Sequence, residues 1–222
     1  MLDTATRMDA QRLQTDLATR ARAAAKIAAE YARAVDAEGR FPAEAFAEIK
    51  HQRLLGIMVP RPQGGESANV AEIADVCQVI GRACASTGLI YAMHQVKMAC
   101  VVRHFHGSET LAAILRRIAA EQLLLASSTT EGQAGGNVRA SEAPIVRDGG
   151  EITLERQATV ISYGAEADGL VTTARRGADA PASDQVLVVL LKADYSLDWI
   201  QSWDTLGMRG TRSNGFVLRA RA

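Results

Sequence analysis

The feature that most constrains this chain is a change of hydrophobic period near residue 122. Before it, apolar residues recur at helical spacing; after it, short β-branched runs alternate with turns. From Asp9 to Asp36 the sequence is rich in Ala, Arg and Gln and free of Pro and Gly. Leu13, Leu17, Ala21, Ala24, Ala28, Tyr31 and Val35 fall there at spacings of three and four, which predicts an amphipathic helix. "EGRFP" ends it, because Gly39 breaks helices and the residue before Pro42 is driven out of the helical region. Pro42 suits a helix start, and "AEAFAEIKHQRLL" predicts a second helix running to Gly56. After the Pro- and Gly-punctuated loop "VPRPQGGES", the segments "NVAEIADVCQVIGRACA", "TGLIYAMHQVKMACVVRHF" and "GSETLAAILRRIAAEQ" predict three more, the last with Ser108 as N-cap.

Beyond residue 122 the predicted strands are "LLLASSTT", "ASEAPIVRD", "EITLERQATVIS", "GLVTTARR", "DQVLVVLLKA" and "NGFVLRARA". "VRDGGEI" reads as a hairpin, with Asp148-Gly149-Gly150 supplying the positive φ of its turn. The expected fold is therefore α+β and multidomain: an all-α helical domain over residues 1–122, then a mostly antiparallel β-barrel or sandwich over 123–222. Neither an internal repeat nor a low-complexity tract is present.

Composition excludes several function classes. The 25 Lys and Arg balance the 25 Asp and Glu, so no global field draws the chain to nucleic acid or an anionic membrane. "MLDTATRMDAQRLQ" carries charge throughout and is no signal peptide, and no apolar run is long enough to span a bilayer. The default location is cytoplasmic, in keeping with three cysteines in apolar segments without CxxC spacing. Cys77 and Cys84 are seven apart and are expected on one helical face as free core thiols.

Five motifs in order carry a family resemblance. "TEGQAGGN" (Thr130 to Asn137) resembles the T-E-P-x-A-G-S-D loop of the acyl-CoA dehydrogenase family. "TVISYGAEADGLVTTAR" is similar to that family's W-I-T-N-G-x-x-A-D segment, and "WDTLGMRGTRS" to its L-G-x-R-G-T-x-S turn. "VPRPQGG" and "ACASTGLIYAMH" resemble its loop after the second helix and its small-residue helix start. The resemblance runs from about residue 10 to about residue 218 and covers the family's helical and middle β domains. The family's third, helical domain carries its catalytic Glu base and has no counterpart here. A truncated or frameshifted reading frame is accordingly expected, as is a homo-oligomer only where that third domain is present. The terminal "RARA" is expected to be neither a strand end nor a helix cap.

The resemblance implies FAD, with FMN as the alternative, held by Ser127, Thr129, Thr130, Val160 and Ser162. It implies that Gly135 and Gly136 let the backbone approach an acyl-CoA-like substrate. Flavin presents carbonyl and ring-nitrogen acceptors, which hydroxyls and bare N–H groups satisfy. The bland alternative for this loop is a strand-end turn without a ligand. Ser162 keeps the hydroxyl of the family's Thr at the flavin N5, whereas Val160 replaces an indole that stacks on the ring. Gly132, Gly136 and Asn137 depart from the family's Pro, Ser and Asp and point to a divergent branch. No catalytic residue is assigned within this chain, and no metal.

The other polar candidates read as structural. His94 belongs to a core helix, His104 and His106 are poorly spaced for a metal, Arg209 suits a turn or an internal bridge, and Glu131 matches a structural position. Three functions remain: an acyl-CoA dehydrogenase-like oxidoreductase acting on CH–CH groups, a flavin monooxygenase of the same fold, and a non-catalytic remnant with an exposed apolar face.

Overall fold

A computed structural model describes residues 16–132 and 137–222. The chain divides into two compact units. The first comprises the chain up to Glu38 together with Pro42–Gln122; the second comprises Gly39–Phe41 and Leu123–Ala222.

The first unit is helical: α1 (Leu17–Glu38), α2 (Ala43–His51), α3 (Val70–Ala83), α4 (Ala85–His104) and α5 (Glu109–Glu121). Ala21, Ala24, Ala28 and Val35 bury the predicted stripe of α1. Helix α2 stops short of the expected Gly56, because Arg53 turns left-handed and the Leu54 N–H returns to the Ile49 carbonyl. An Asn69–Glu72 capping box starts α3, and the Ser108 hydroxyl accepts the Leu111 N–H at the start of α5, as expected. Cys84 is extended (φ −151°) and separates α3 from α4, so it does not share a helical face with Cys77. Both are free; Cys84 is buried, while Cys77 and Cys100 are half-buried.

Helix α4 buries one broad face, and three polar side chains of that face serve one loop. Tyr91 and Gln95 donate to the Leu54 carbonyl at 3.0 and 3.1 Å. His94 is fully buried, with Nε2 2.9 Å from the Leu55 carbonyl, which makes that nitrogen the N–H donor. The Leu55 N–H reaches Gln122 Oε1 at 3.0 Å. A buried turn thus has its backbone groups paired, the condition for placing it in a core.

The second unit contains β1 (Leu125–Ser128), β2 (Val146–Asp148), β3 (Glu151–Ile161), β4 (Gly169–Arg175), β5 (Gln185–Leu191), β6 (Tyr195–Gln201) and β7 (Asn214–Arg221). They form a three-stranded sheet ordered β1-β4-β5 and a four-stranded antiparallel sheet ordered β2-β3-β7-β6. The β1–β4 pair is parallel, the one such pair among these strands. Asp148 pairs with Glu151 across the two-residue Gly149-Gly150 turn, where Gly149 has φ +59°.

Three expectations are corrected. The segment before Val146 is a strand only from that residue, since Pro144 has no N–H to donate and makes a single bridge to Arg175. Strand β6 was not expected: its "YSLDW" alternates apolar and polar residues, but it is short and lies mostly exposed at the edge of the sheet. The terminal "RARA" continues β7, with Leu218 and Ala220 inward and Arg219 and Arg221 outward. Arg219 pairs with Glu155 and Asp198, and Arg221 with Glu151, so each arginine answers carboxylates on neighbouring strands.

Candidate functional site

The exits of β1 and β3 meet at one point. β3 gains an extra residue against β7 between Ala158 and Ile161, a bulge that takes the Val160 carbonyl out of the ladder. The Thr130 hydroxyl, two residues past β1, donates to that carbonyl at 2.9 Å. Ser162 follows at the end of β3. Of the residues expected from sequence, Thr130, Val160 and Ser162 are thereby brought together. Ser127 and Thr129 line the same β1 exit, half-buried, and their hydroxyls have no protein partner among the described residues. Gly135 and Gly136 lie outside the described residues.

A buried cation holds this exit in place. Arg156 points inward from β3 toward the other sheet. It donates to Ser128 O at 3.1 Å, Thr172 Oγ1 at 2.8 Å, Thr130 O at 3.0 Å and the Thr173 carbonyl. Its Nη2 lies 3.2 Å from Glu131 Oε1, with the two side chains 1% and 7% exposed. Burial pulls the guanidinium down from its ordinary value, and the Glu131 carboxylate opposes that shift. Glu131 also accepts the Ser141 hydroxyl at 3.1 Å and the N–H groups of Glu142 at 2.6 Å and Ala143 at 3.1 Å. A carboxylate so fully engaged is a scaffold and is poorly suited to act as a base. Sequence reading passed over Arg156; the available signal was a charge at an inward position of the alternating "LERQA".

Beyond β3 the chain turns at Tyr163, a left-handed non-glycine residue (φ +45°). Its fully buried phenol donates to Leu125 O at 3.0 Å, and burial pushes its pKa far up. Its N–H is 2.7 Å from the Thr211 carbonyl, which joins this turn to the 3-10 turn Arg209–Thr211. Met208 and Arg212 flank that turn and are left-handed too, at φ +57° and +44°. Such conformations cost free energy and persist where surrounding contacts hold them, often beside a site. Across this junction the Ser162 and Ser213 hydroxyls lie 2.7 Å apart, and Ser213 lies 2.8 Å from Thr211 Oγ1.

Ser128 Oγ is buried and unpartnered among the described residues. The half-buried Ser127 and Thr129 hydroxyls beside the half-buried Val160 can hydrogen-bond the polar edge of a ligand. Among the described residues no cluster of His, Cys, Asp and Glu could hold a metal ion, and no helix is long and apolar enough to cross a membrane. His104 and His106 are exposed; the His106 ring packs on Phe105, 4.3 Å between centroids.

Comparison with known proteins agrees with this architecture. Residues 11–122 match the family model for the acyl-CoA dehydrogenase N-terminal domain. The chain is 26% identical over 196 residues to a probable acyl-CoA dehydrogenase, YngJ, of Bacillus subtilis, covering 88% of this chain and 52% of that protein. It is 29% identical over 178 residues to cyclohex-1-ene-1-carbonyl-CoA dehydrogenase of Geobacter metallireducens, covering 80% and 47%. The chain thus spans about half the length of the curated relatives it matches. In fold it resembles FMN-bound TdsC of Paenibacillus sp. A11-2, a dibenzothiophene monooxygenase, with a TM-score of 0.81 at 21% identity over 93% of this chain and 52% of that one.

Proposed function

The chain belongs to the acyl-CoA dehydrogenase family, and from that premise we propose that it is the flavin-holding part of an oxidoreductase of that fold. The observation that carries the reading is the joint exit of β1 and β3, where Thr130 grips the bulged Val160 carbonyl and the Ser127 and Thr129 hydroxyls have no protein partner among the described residues. A flavin ring supplies two-electron redox chemistry when bound. The residues fit such a ring: hydroxyls from Ser127, Thr129 and Ser162 for its edge, and the Val160 side chain for its face. Gly135 and Gly136 are proposed to give an acyl thioester close access to the backbone, as the acyl-CoA substrates named for the curated relatives suggest.

In this reading the chain's own residues bind and orient. Arg156 and Glu131 keep the Ser128–Glu131 backbone rigid, so the Thr129 and Thr130 groups are set before a ligand arrives. Neither is proposed to move a proton. A second reading, a flavin monooxygenase of the same fold, is favoured by the FMN and monooxygenase assignments of TdsC and by Val160 at the position expected to stack on the ring. FAD and FMN are both candidates, and the surroundings are proposed to be cytoplasmic.

The test is direct titration of the purified chain with FMN and with FAD, followed by flavin fluorescence. Saturable quenching that Thr130→Val weakens about tenfold is expected, since one hydrogen bond that orients the site is lost. Absence of saturable binding for both flavins would refute the reading and leave the non-catalytic alternative.

A further inference from the structure

The Ser162, Ser213 and Thr211 hydroxyls form a relay whose direction is fixed at one end. Thr211 Oγ1 lies 2.8 Å from the Met208 carbonyl, which can only accept. The Thr211 proton is therefore spent there. The 2.8 Å contact between Thr211 and Ser213 must then use the Ser213 proton, and the 2.7 Å contact between Ser213 and Ser162 must use that of Ser162. Only this assignment satisfies all three contacts, and it leaves Ser162 Oγ with lone pairs and no proton to give.

The opposite polarity is disfavoured by the anchor. Reversal would turn the Thr211 proton away from Met208 and leave two oxygens facing each other at 2.8 Å beside a buried residue. The Met208 carbonyl is fixed from other sides as well, by the Thr211 N–H at 3.1 Å and Trp203 Nε1 at 3.2 Å. All three residues are buried, and Ser162, at the end of the relay away from the Met208 anchor, is the one whose oxygen keeps a free acceptor position.

We propose that this relay makes Ser162 an obligate hydrogen-bond acceptor, so that the exit of β3 selects a ligand presenting an N–H there. The inference rests on the flavin reading above. Of the two redox states, the reduced ring carries N–H groups where the oxidised ring has bare nitrogens, and so the site favours the reduced form. Thr211 and Ser213 are positioning residues: they set the proton on Ser162 without touching the ligand. A site with that preference suits a protein that receives its flavin already reduced.

The test measures dissociation constants for oxidised FMN and, under anaerobic conditions, for reduced FMN, on the wild-type chain, Thr211→Val and Ser162→Ala. Thr211→Val frees the relay to reverse. The ratio of oxidised to reduced dissociation constants is expected to fall about tenfold from wild type, equivalent to lowering the bound two-electron midpoint potential by about 30 mV. Ser162→Ala removes the acceptor, keeps the Thr211 anchor and is expected to lower the ratio in the same direction; it decides the matter should Thr211→Val not fold. Wild-type binding with a ratio unchanged or raised in the folded variants overturns the relay and leaves the flavin reading standing. Failure of the wild type to bind either form overturns the flavin reading, and the relay proposal with it.

Discussion

Arg156→Met is the most informative perturbation of the β unit. The substitution removes a guanidinium that is 1% exposed and leaves the Glu131 carboxylate, 7% exposed, without its cation. Breaking a buried pair from one side costs about 3–5 kcal/mol. The low end of that range applies, because Glu131 keeps the Ser141 hydroxyl and the Glu142 and Ala143 N–H groups. The Ser128 and Thr130 carbonyls also lose a donor, so a loss of about 3–4 kcal/mol follows against a typical total of about 5–15. Adding Glu131→Gln removes the stranded charge but keeps an oxygen acceptor for those donors. The double variant is expected to recover about half of the loss, about 1.5–2 kcal/mol, and the coupling exceeds that by the cost of Glu131→Gln alone. Urea unfolding read by tryptophan fluorescence is the assay, because both tryptophans, Trp199 and Trp203, belong to the second unit. A urea midpoint for Arg156→Met within about 0.5 M of wild type would refute the reasoning, as would a double variant no more stable than the single one.

Two further outcomes are expected. In Gly88→Ala the new Cβ would stand 2.4 Å from Gly81 Cα and 2.9 Å from Gly81 N, both backbone atoms of α3 that cannot swing aside. Separating α3 from α4 should cost about 1–3 kcal/mol in chemical unfolding followed by far-ultraviolet circular dichroism, whereas Gly177→Ala, in open space, should stay within about 0.5 kcal/mol. Asp16 accepts the Thr19 N–H at 2.8 Å and the Thr19 hydroxyl at 2.9 Å, and these bonds hold its carboxyl below the ordinary value. A depressed folded pKa means that its stabilisation is complete above the ordinary carboxylate range and is lost as pH falls through the folded value. Asp16→Ala should therefore lower the melting temperature at neutral pH and converge with wild type in acid; parallel melting curves across that range would contradict the assignment.

The helical half was legible because its stripes are long and its stops are chemical. Val35, Ile80 and Leu115 are buried at the expected period, and Ser108 caps α5 as read. The break between α3 and α4 was read a residue or two late, after Ala85 instead of at the extended Cys84, where Gly81 and Gly88 let the two helices approach closely. In the β half, inward Leu154 and Ala158 were readable, but Arg156 between them contradicts the pattern. Its burial makes sense only once the carbonyls of two other strands are known to converge on it. Edge strand β6 was missed although "YSLDW" alternates apolar and polar residues, because the run is short and follows a long apolar strand without a Gly or Pro between them. The hydroxyls of Thr211 and Ser213 stood in a recognised turn, yet their connection to Ser162 spans 51 residues for Ser213 and no local pattern encodes it.

Why the candidate site lies at this end of the sheet follows from where regular pairing fails. β7 is flanked there by two irregularities, one on β3 between Ala158 and Ile161 and one on β6 between Trp199 and Gln201. Gly215 of β7 sits between them. A Cβ at that position would come within 3.0 Å of the Thr159 carbonyl and 3.1 Å of the Gln201 side chain. Glycine thus permits both neighbours to bulge toward the same strand. The bulge on β3 takes the Val160 carbonyl out of the ladder and makes it available to Thr130, which ties the exit of β1 to that of β3. Had β3 stayed regular, that carbonyl would have paired with β7, and Ser162, displaced by one residue, would have faced the opposite side of the sheet. The register shift therefore does two things at once: it joins the two sheets' strand exits and puts Ser162 on the side of the sheet where Ser213 meets it.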